Sequence, residues 1–132
     1  GRILENDLTI EEHIDIACEK IKKHYAGSDE LSHFSAIFDG EYDVEEGRSY
    51  VVKTLEAVLW CLLKTDNFRD AVLMAVNLGR DTDTVGAITG GLAGIYYGYD
   101  DIPREWIGEI PQIDYVLGMC DDFEAFCQNK IP

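Results

Sequence analysis

The chain has 132 residues, of which 46% are hydrophobic and 28% are charged, and these proportions are typical of a globular domain rather than a disordered one. Its formal net charge is −15, from 26 acidic and 11 basic residues. So large an excess of carboxylates argues against binding to nucleic acid, which requires clustered Lys and Arg, and suits a protein that binds cations. We interpret most of the carboxylates as a solvated acidic surface.

The pattern of apolar residues and cysteines predicts a cytoplasmic protein without a membrane span. The longest uncharged run, residues 84–99, has 16 residues, whereas a spanning helix needs about 20. The chain begins with Gly1-Arg2-Ile3, which is neither a signal peptide nor a Met start, so we expect a tag remnant, a processed product or a fragment. No CxxC pair is present, and we expect reduced, buried and inert thiols at Cys18, Cys61, Cys120 and Cys127.

Helical periodicity begins near the N-terminus. Thr9 and Glu12 have the spacing of a capping box, and we expect the helix that follows to end near Gly27. Its apolar residues recur at steps of three and four, which predicts one buried face; they are Ile10, Ile14, Ala17, Cys18 and Ile21. Residues 28–47 are less regular, and we predict a connection with one short helix at about residues 31–38. An acidic loop follows in this connection, with Glu41, Asp43, Glu45 and Glu46.

The central part of the chain predicts three further helices. The first covers residues 49–64 with a broad apolar face: Val51, Val52, Leu55, Val58, Leu59, Leu62 and Leu63. Residues 65–67 (TDN) break it and can cap the next helix, at residues 68–78, which turns Ala71, Val72, Ala75 and Val76 inward. A glycine-spaced helix then runs from residue 84 to about residue 98.

Two more helices complete the prediction. Pro103 suits the first turn of a short helix through Trp106, and a last helix covers about residues 113–128. No strand alternation is visible. The sequence therefore predicts an all-α fold of about six helices.

The turn before the glycine-spaced helix carries the residues with the clearest chemistry. Asp81, Asp83 and Thr84 offer hard oxygen atoms, which Mg²⁺, Mn²⁺ and Ca²⁺ prefer as ligands. Gly79 gives the turn conformational freedom. Asp and Thr are also the residues that cap helices, so ordinary capping is the alternative, and four residues do not decide between the two interpretations.

The helix that follows is unusually rich in glycine. Gly86, Gly90, Gly94 and Gly98 fall on one face, and each interior glycine costs a helix about 1 kcal/mol relative to alanine. We expect the compensation to be close packing against a neighbouring helix, which would hold the acidic turn rigidly. Close packing without any functional consequence is the alternative.

Two stretches resemble the ADP-ribosylglycohydrolase family. Residues 75–88 (AVNLGRDTDTVGAI) and 90–98 (GGLAGIYYG), followed by Ile102-Pro103 and Trp106, are similar to the family's C-terminal signature. Residues 49–60 (SYVVKTLEAVLW) resemble an earlier helix of the family. The resemblance covers about residues 40–110, and we interpret the whole chain, residues 1–132, as the C-terminal part of a single domain of this fold.

The resemblance implies a hydrolase that cleaves an ADP-ribosyl linkage with two Mg²⁺ (or Mn²⁺) ions, which activate water at C1″ of the ribose. Asp81, Asp83 and Thr84 match metal ligands of the family, and Tyr50 matches a position that lines the substrate cleft. ADP-ribose or an ADP-ribosylated protein is then the ligand. The linkage that is cleaved and the catalytic acid or base stay unassigned.

Several features depart from the family pattern. Many relatives have a glycine where this chain has Arg80 and an acidic residue near Lys53; Arg80 could form a salt bridge or meet a ligand phosphate. The family's N-terminal half, with its Thr-Asp-Asp ligand group, has no counterpart here. We therefore expect that the missing half is supplied by a segment covalently joined to this chain or by a separate chain. We also expect that the isolated chain is inactive. The alternative is a non-catalytic ADP-ribose-binding or structural relative, such as the family members used as lens crystallins.

Overall fold

The computed structural model describes residues 8–42, 50–79 and 81–130, and all regular structure in these ranges is helical. Seven α-helices occur there: α1 (Ile10–His24), α2 (Ser35–Asp39), α3 (Val51–Leu63), α4 (Phe68–Asn77), α5 (Thr82–Tyr97), α6 (Arg104–Gly108) and α7 (Ile113–Lys130). Two short 3-10 helices, Asp29–Phe34 and Tyr99–Asp101, lie between them. The all-α prediction is confirmed, with one helix more than expected.

The chain divides into two compact units, Gly1–Asp101 and Ile102–Pro132. The second unit contains α6, which begins directly after Pro103 as predicted, and α7, which ends two residues later than expected. Whether both units belong to one larger domain stays a prediction. None of the helices in the described ranges is long and apolar enough to cross a membrane.

The capping box at the start of α1 is confirmed. The backbone N–H of Glu12 donates to Oγ1 of Thr9 (3.2 Å), and the backbone N–H of Thr9 donates to Oε2 of Glu12 (2.7 Å). The helix ends at His24, three residues before Gly27, which adopts a positive φ of 89°. The prediction of one buried face is only partly correct, because Cys18 is buried and Ile10 and Ile14 are half-buried, whereas Ile21 is 44% exposed.

A small apolar cluster connects the first three helices. Cys18 of α1, Ile37 of α2 and Val52 of α3 are its buried members. The helix predicted at residues 31–38 is present as the 3-10 helix Asp29–Phe34 and α2, which ends at Asp39 and is followed by Gly40 with φ of 70°. Of the predicted acidic loop, Glu41 is exposed, and Asp43, Glu45 and Glu46 lie outside the described residues.

Helix α3 buries most of the predicted apolar face: Val52, Val58 and Leu62 are buried, and Leu55, Leu59 and Leu63 are half-buried. Val51 was expected in the core and is 72% exposed. Two polar residues are buried instead, with Glu56 at 1% and Thr54 at 6% exposure. The apolar residues buried on this helix are Val52, Ala57, Val58, Cys61 and Leu62.

Helices α4 and α5 pack closely, as the glycine spacing predicted. They also run antiparallel. A side-chain carbon placed at Gly86 would lie 2.9 Å from Cγ1 of Val76, one at Gly90 would lie 3.7 Å from Val72, and one at Gly94 would lie 3.8 Å from Phe68. The facing positions advance along α5 while they recede along α4, so the two helices run in opposite directions. Because these glycines have no side chains, α4 can pack closely against this face of α5.

Helices α3 and α5 have their N-terminal ends on the same side of the first unit. The hydroxyl of Tyr97, the last residue of α5, donates to the carbonyl of Thr65, just after the end of α3 (3.1 Å). The C-terminal ends of these helices thus meet. Tyr50 precedes α3 and Asp81 precedes α5, so both lie toward the opposite end of the unit.

Side chains cap the first turn of α4 from two directions. Oδ1 of Asn67 accepts from the backbone N–H of Asp70 (2.8 Å), which confirms the predicted cap region. Oδ2 of Asp101 accepts from the backbone N–H of Phe68 (2.8 Å), although the two residues are 33 positions apart. The segment after α5 is thereby attached to the start of α4.

The cysteines only partly match the prediction. All four are free thiols; Cys18 and Cys61 are buried, Cys127 is half-buried and Cys120 is exposed. Burial raises the pKa of the Cys18 thiol, which keeps it protonated at neutral pH. The expectation of a buried thiol was wrong for Cys120, which lies on α7 beside other exposed side chains, Met119 and Phe123.

Candidate metal site at the start of α5

The predicted metal ligands lie in and directly after a four-residue connection. Helix α4 ends at Asn77 and α5 begins at Thr82. Gly79 adopts φ of 80°, a left-handed conformation that favours glycine, so the conformational freedom expected of this position is used. Arg80 lies outside the described residues. Whether it forms a salt bridge or contacts a ligand phosphate therefore stays a prediction.

Asp81 and Thr84 contact each other through their side chains. Oγ1 of Thr84 donates to Oδ1 of Asp81 at 2.8 Å. Asp81 occupies the N-cap position of α5, but its carboxylate makes no side-chain hydrogen bond of the capping type. The interpretation of Asp81 as an ordinary cap therefore lacks the contact that defines one.

The carboxylate of Asp83 belongs to the same group. Its pKa lies below the usual value, first because the backbone N–H of Thr84 donates to it, next through the nearby side chain of Asp81 and then through its own backbone N–H. The contribution of Asp81 shows that the two acidic side chains are neighbours. The helix N-terminus also favours negative charge at this position.

The chemistry of these donors fits a hard divalent cation. Two carboxylates and a hydroxyl supply oxygen ligands, and the proton of Thr84 is directed at Asp81, which leaves the lone pairs of the hydroxyl oxygen available to a cation. Across the described parts of the chain, however, no three His, Cys, Asp or Glu side chains come together as a metal site would require. The group at the start of α5 is thus smaller than a complete coordination shell.

Tyr50 stands at the N-cap of α3, on the side of the unit where α5 begins. Its carbonyl accepts from the backbone N–H of Thr54 (3.0 Å) and from the hydroxyl of Thr54 (3.4 Å). Its side chain is 55% exposed, so the phenol is accessible to a ligand. The assignment of Tyr50 to substrate binding stays a prediction.

Sequence reasoning missed a buried ion pair on α3. Nζ of Lys53 lies 2.8 Å from Oε2 of Glu56, with side-chain exposures of 29% and 2%. The pair explains why a lysine is acceptable where the resemblance leads one to expect an acidic residue, because its charge compensates that of Glu56. The spacing of three residues on one helix was the available signal.

A second buried polar group lies in α5. Thr89 is fully buried, and its Oγ1 is the one buried side-chain oxygen or nitrogen without a hydrogen-bond partner in the part of the chain that the structure describes. Such a group costs stability unless something outside the protein satisfies it. Nothing in the sequence marks Thr89 as a buried polar residue.

Comparison of the sequence with known proteins identifies the family of this chain. Residues 2–131 match the family model described as ADP-ribosylglycohydrolase. The ADP-ribosylarginine hydrolase Tri1 of Serratia proteamaculans is 42% identical over 87 residues, which are 62% of this chain and 24% of that protein. The ADP-ribosyl dinitrogen reductase glycohydrolase of Rhodospirillum rubrum is 40% identical over 74 residues, 54% of this chain and 25% of that protein.

A more distant relative is the human ADP-ribosylhydrolase ARH3, which is 37% identical over 41 residues, 31% of this chain and 11% of the human protein. The aligned part of the chain spans about a quarter of the length of the two bacterial relatives. Since the family model covers nearly the whole chain, this protein belongs to the ADP-ribosylglycohydrolase family.

Proposed function

We propose that this chain is the C-terminal part of a divalent-metal-dependent hydrolase of ADP-ribosyl linkages. Its share of the binuclear site would be Asp81, Asp83 and Thr84. The observation that carries the proposal is the contact among these three side chains at the start of α5, in a chain of the ADP-ribosylglycohydrolase family. Two Mg²⁺ or Mn²⁺ ions would supply the positive charge that activates water and stabilises the negative charge that develops at the bond to C1″.

In this proposal the residues of this chain bind the cations and orient the ligand. Asp81 and Asp83 provide the negative charge that offsets the desolvation of a cation, and Thr84 contributes a neutral oxygen. The hydrogen bond from Thr84 to Asp81 fixes the rotamers of both side chains before any cation arrives. Tyr50, on the same side of the unit, would line the cleft in which the ribose is held.

The remaining ligands would come from another polypeptide segment, either covalently joined to this chain or separate. Two carboxylates and a hydroxyl fill at most half of one octahedral shell, whereas the two-metal mechanism needs both cations fixed. We therefore propose that the chain alone binds Mg²⁺ weakly, with a dissociation constant on the order of a millimolar or weaker, and does not hydrolyse ADP-ribosyl linkages.

Metal binding is tested on the chain itself with Mn²⁺ as the probe, followed by electron paramagnetic resonance of the free ion. The parent should bind weakly, and Asp83→Asn should lose this binding because one carboxylate charge is removed. Asp100→Asn, which changes an exposed carboxylate at the far end of α5, is the matched control and should bind as the parent does. Equal binding by Asp83→Asn and the parent would place the cation elsewhere.

Hydrolysis is tested with a chimera in which residues of this chain replace the matching segment of the Serratia proteamaculans relative. That relative is named an ADP-ribosylarginine hydrolase, so the substrate is a peptide with ADP-ribosylated arginine. We expect Mg²⁺-dependent release of ADP-ribose by the chimera, loss of release in Asp83→Asn and no release by the 132-residue chain alone. Turnover by the isolated chain that disappears in Asp81→Ala would contradict the half-site proposal.

A further inference from the structure

The tightest approach of an α4 side chain to a glycine of α5 lies beside the acidic turn. The distances from a side-chain carbon placed on α5 to the facing side chain of α4 are 3.8 Å at Gly94, 3.7 Å at Gly90 and 2.9 Å at Gly86. The first two are ordinary van der Waals contacts, so alanine fits there. The third is shorter than contacts that real side-chain carbons make, so only glycine fits opposite Val76 without a displacement.

Val76 is 43% exposed, but rotation of its side chain away from Gly86 is unfavourable. A β-branched side chain on a helix has one strongly preferred χ1 rotamer, so a different rotamer costs energy. Relief of the contact would therefore come mainly from movement of the helices. To reach an ordinary contact distance, the displacement must be at least about half an ångström.

The connection between the helices transmits such a displacement to the carboxylates. Only residues 78–81 join α4 to α5, and both ends are tied by backbone hydrogen bonds, from Leu78 to Ala75 (3.3 Å) and from Val85 to Asp81 (3.2 Å). Gly86 follows Asp83 by three residues, a rise of about 4.5 Å along the helix. A change in helix separation at Gly86 thus alters the path of the turn that holds Asp81.

We infer that Gly86 and Val76 form a positioning pair, which sets the separation of α4 and α5 and so holds Asp81 and Asp83 where both can bind one divalent cation. The inference rests on the proposed metal site. A shift of half an ångström matters there, because Mg²⁺ demands near-ideal octahedral geometry and a site must be held to about 0.5 Å. Neither residue touches the cation; both act through the turn.

The test is a double-mutant cycle on the chain, with the Mn²⁺ dissociation constant as readout. Gly86→Ala should weaken binding about tenfold, the effect of losing support for metal ligands. Val76→Ala, which leaves a gap opposite Gly86 instead of a close contact, should weaken binding less than Gly86→Ala does, and the double variant should bind within about twofold of the parent, because the smaller side chain removes the contact. Gly91→Ala, on the same helix with nothing within 4 Å, is the matched control and should bind as the parent does.

A second readout needs no cation. The amide chemical shifts of Gly79 and Asp81, five or more residues from the substitution, should move in Gly86→Ala and return in the double variant. Circular dichroism establishes that each variant is folded before its binding is compared.

The outcomes separate the inference from the proposal on which it rests. Unchanged Mn²⁺ affinity in Gly86→Ala, or weakened affinity that Val76→Ala does not restore, would overturn the positioning role. If the parent does not bind Mn²⁺, the proposed metal site fails. The amide shifts then decide alone: unmoved or unrescued shifts overturn the coupling of Gly86 to the turn, and moved and rescued shifts support it.

Discussion

Replacement of Lys53 by methionine would leave a buried carboxylate without its adjacent positive charge. Nζ of Lys53 lies 2.8 Å from Oε2 of Glu56, whose side chain is 2% exposed. Methionine keeps an unbranched side chain and much of the apolar contact, so the variant changes charge more than packing. We expect Lys53→Met to lower the free energy of unfolding.

The magnitude follows from the burial of the two partners. Removal of one member of a fully buried pair costs about 3–5 kcal/mol. Lys53 retains 29% exposure, so water reaches one side of the pair and reduces the cost. We therefore expect a loss of about 2–3 kcal/mol, well above the value of about 0–1 kcal/mol typical of a surface pair.

Urea unfolding followed by circular dichroism at neutral pH measures the change. The chain provides its own control in Lys22→Met, because the pair of Lys22 with Glu19 has the same spacing but side-chain exposures of 42% and 75%. That variant should lose at most about 1 kcal/mol, because Lys22 also lies over the ring of Phe38, with Nζ 5.3 Å from the centroid. Glu56→Gln in the Lys53→Met background should regain part of the lost stability, because a neutral amide costs less to bury than a carboxylate that has lost the positive charge of Lys53.

Equal losses in Lys53→Met and Lys22→Met would refute the reasoning. That result would mean that solvent screens Glu56 despite its low exposure, or that its other contacts suffice to hold the charge.

Three further predictions concern stability and are measured by the same urea unfolding. Gly90→Leu should cost at least about 1–3 kcal/mol, since the carbon at 3.7 Å from Val72 fills the available space and the rest of the side chain must overlap α4; unchanged stability would contradict the close packing. Asp101→Ala should cost about 1 kcal/mol, because the backbone N–H of Phe68 loses its acceptor, and a neutral result would show that water replaces the carboxylate. Thr89→Val should raise stability by about 1 kcal/mol, because it removes a buried hydroxyl without a partner, and a loss would mean that this hydroxyl is satisfied in solution.

Features that depend on neighbouring residues could be predicted from the sequence. The capping box of Thr9 and Glu12 and the cap at Asn67 are confirmed, because a cap needs only a side-chain oxygen within three residues of a free backbone N–H. The all-α class follows in the same way from apolar residues at helical spacing. Helix ends were less accurate, as with α1, because capping and fraying compete over the last turn.

The glycine spacing of α5 predicted a tertiary contact for a similar reason. Several interior glycines are unfavourable in a helix unless another backbone or side chain occupies the space, so the pattern itself implied a close neighbour. The sequence did not say which glycine was essential. Only the approach of Val76 to Gly86 distinguishes that position from Gly90 and Gly94, because helix separation depends on how two whole helices are inclined.

The candidate site was also located by sequence, because its members lie within four consecutive residues. The hydrogen bond from Thr84 to Asp81 joins the N-cap residue to the first turn of α5, and α5 begins at Thr82, two residues earlier than predicted, so Asp83 and Thr84 belong to the helix. Metal binding itself, and the role of Tyr50, stay predictions. Composition of the turn identifies the possible ligands, whereas a complete coordination shell depends on residues distant in sequence.

By itself the sequence determined the helical class, the family and the position of the acidic turn, because each depends on local spacing or on a contiguous motif. Only the tertiary structure decided that Glu56 is buried while Val51 is 72% exposed, and that Asp101 caps a helix that begins 33 residues earlier. Periodicity shows that a helix has an apolar side but not which neighbour covers each position. Burial and long-range hydrogen bonds are set by the path of the whole chain, which no single segment contains.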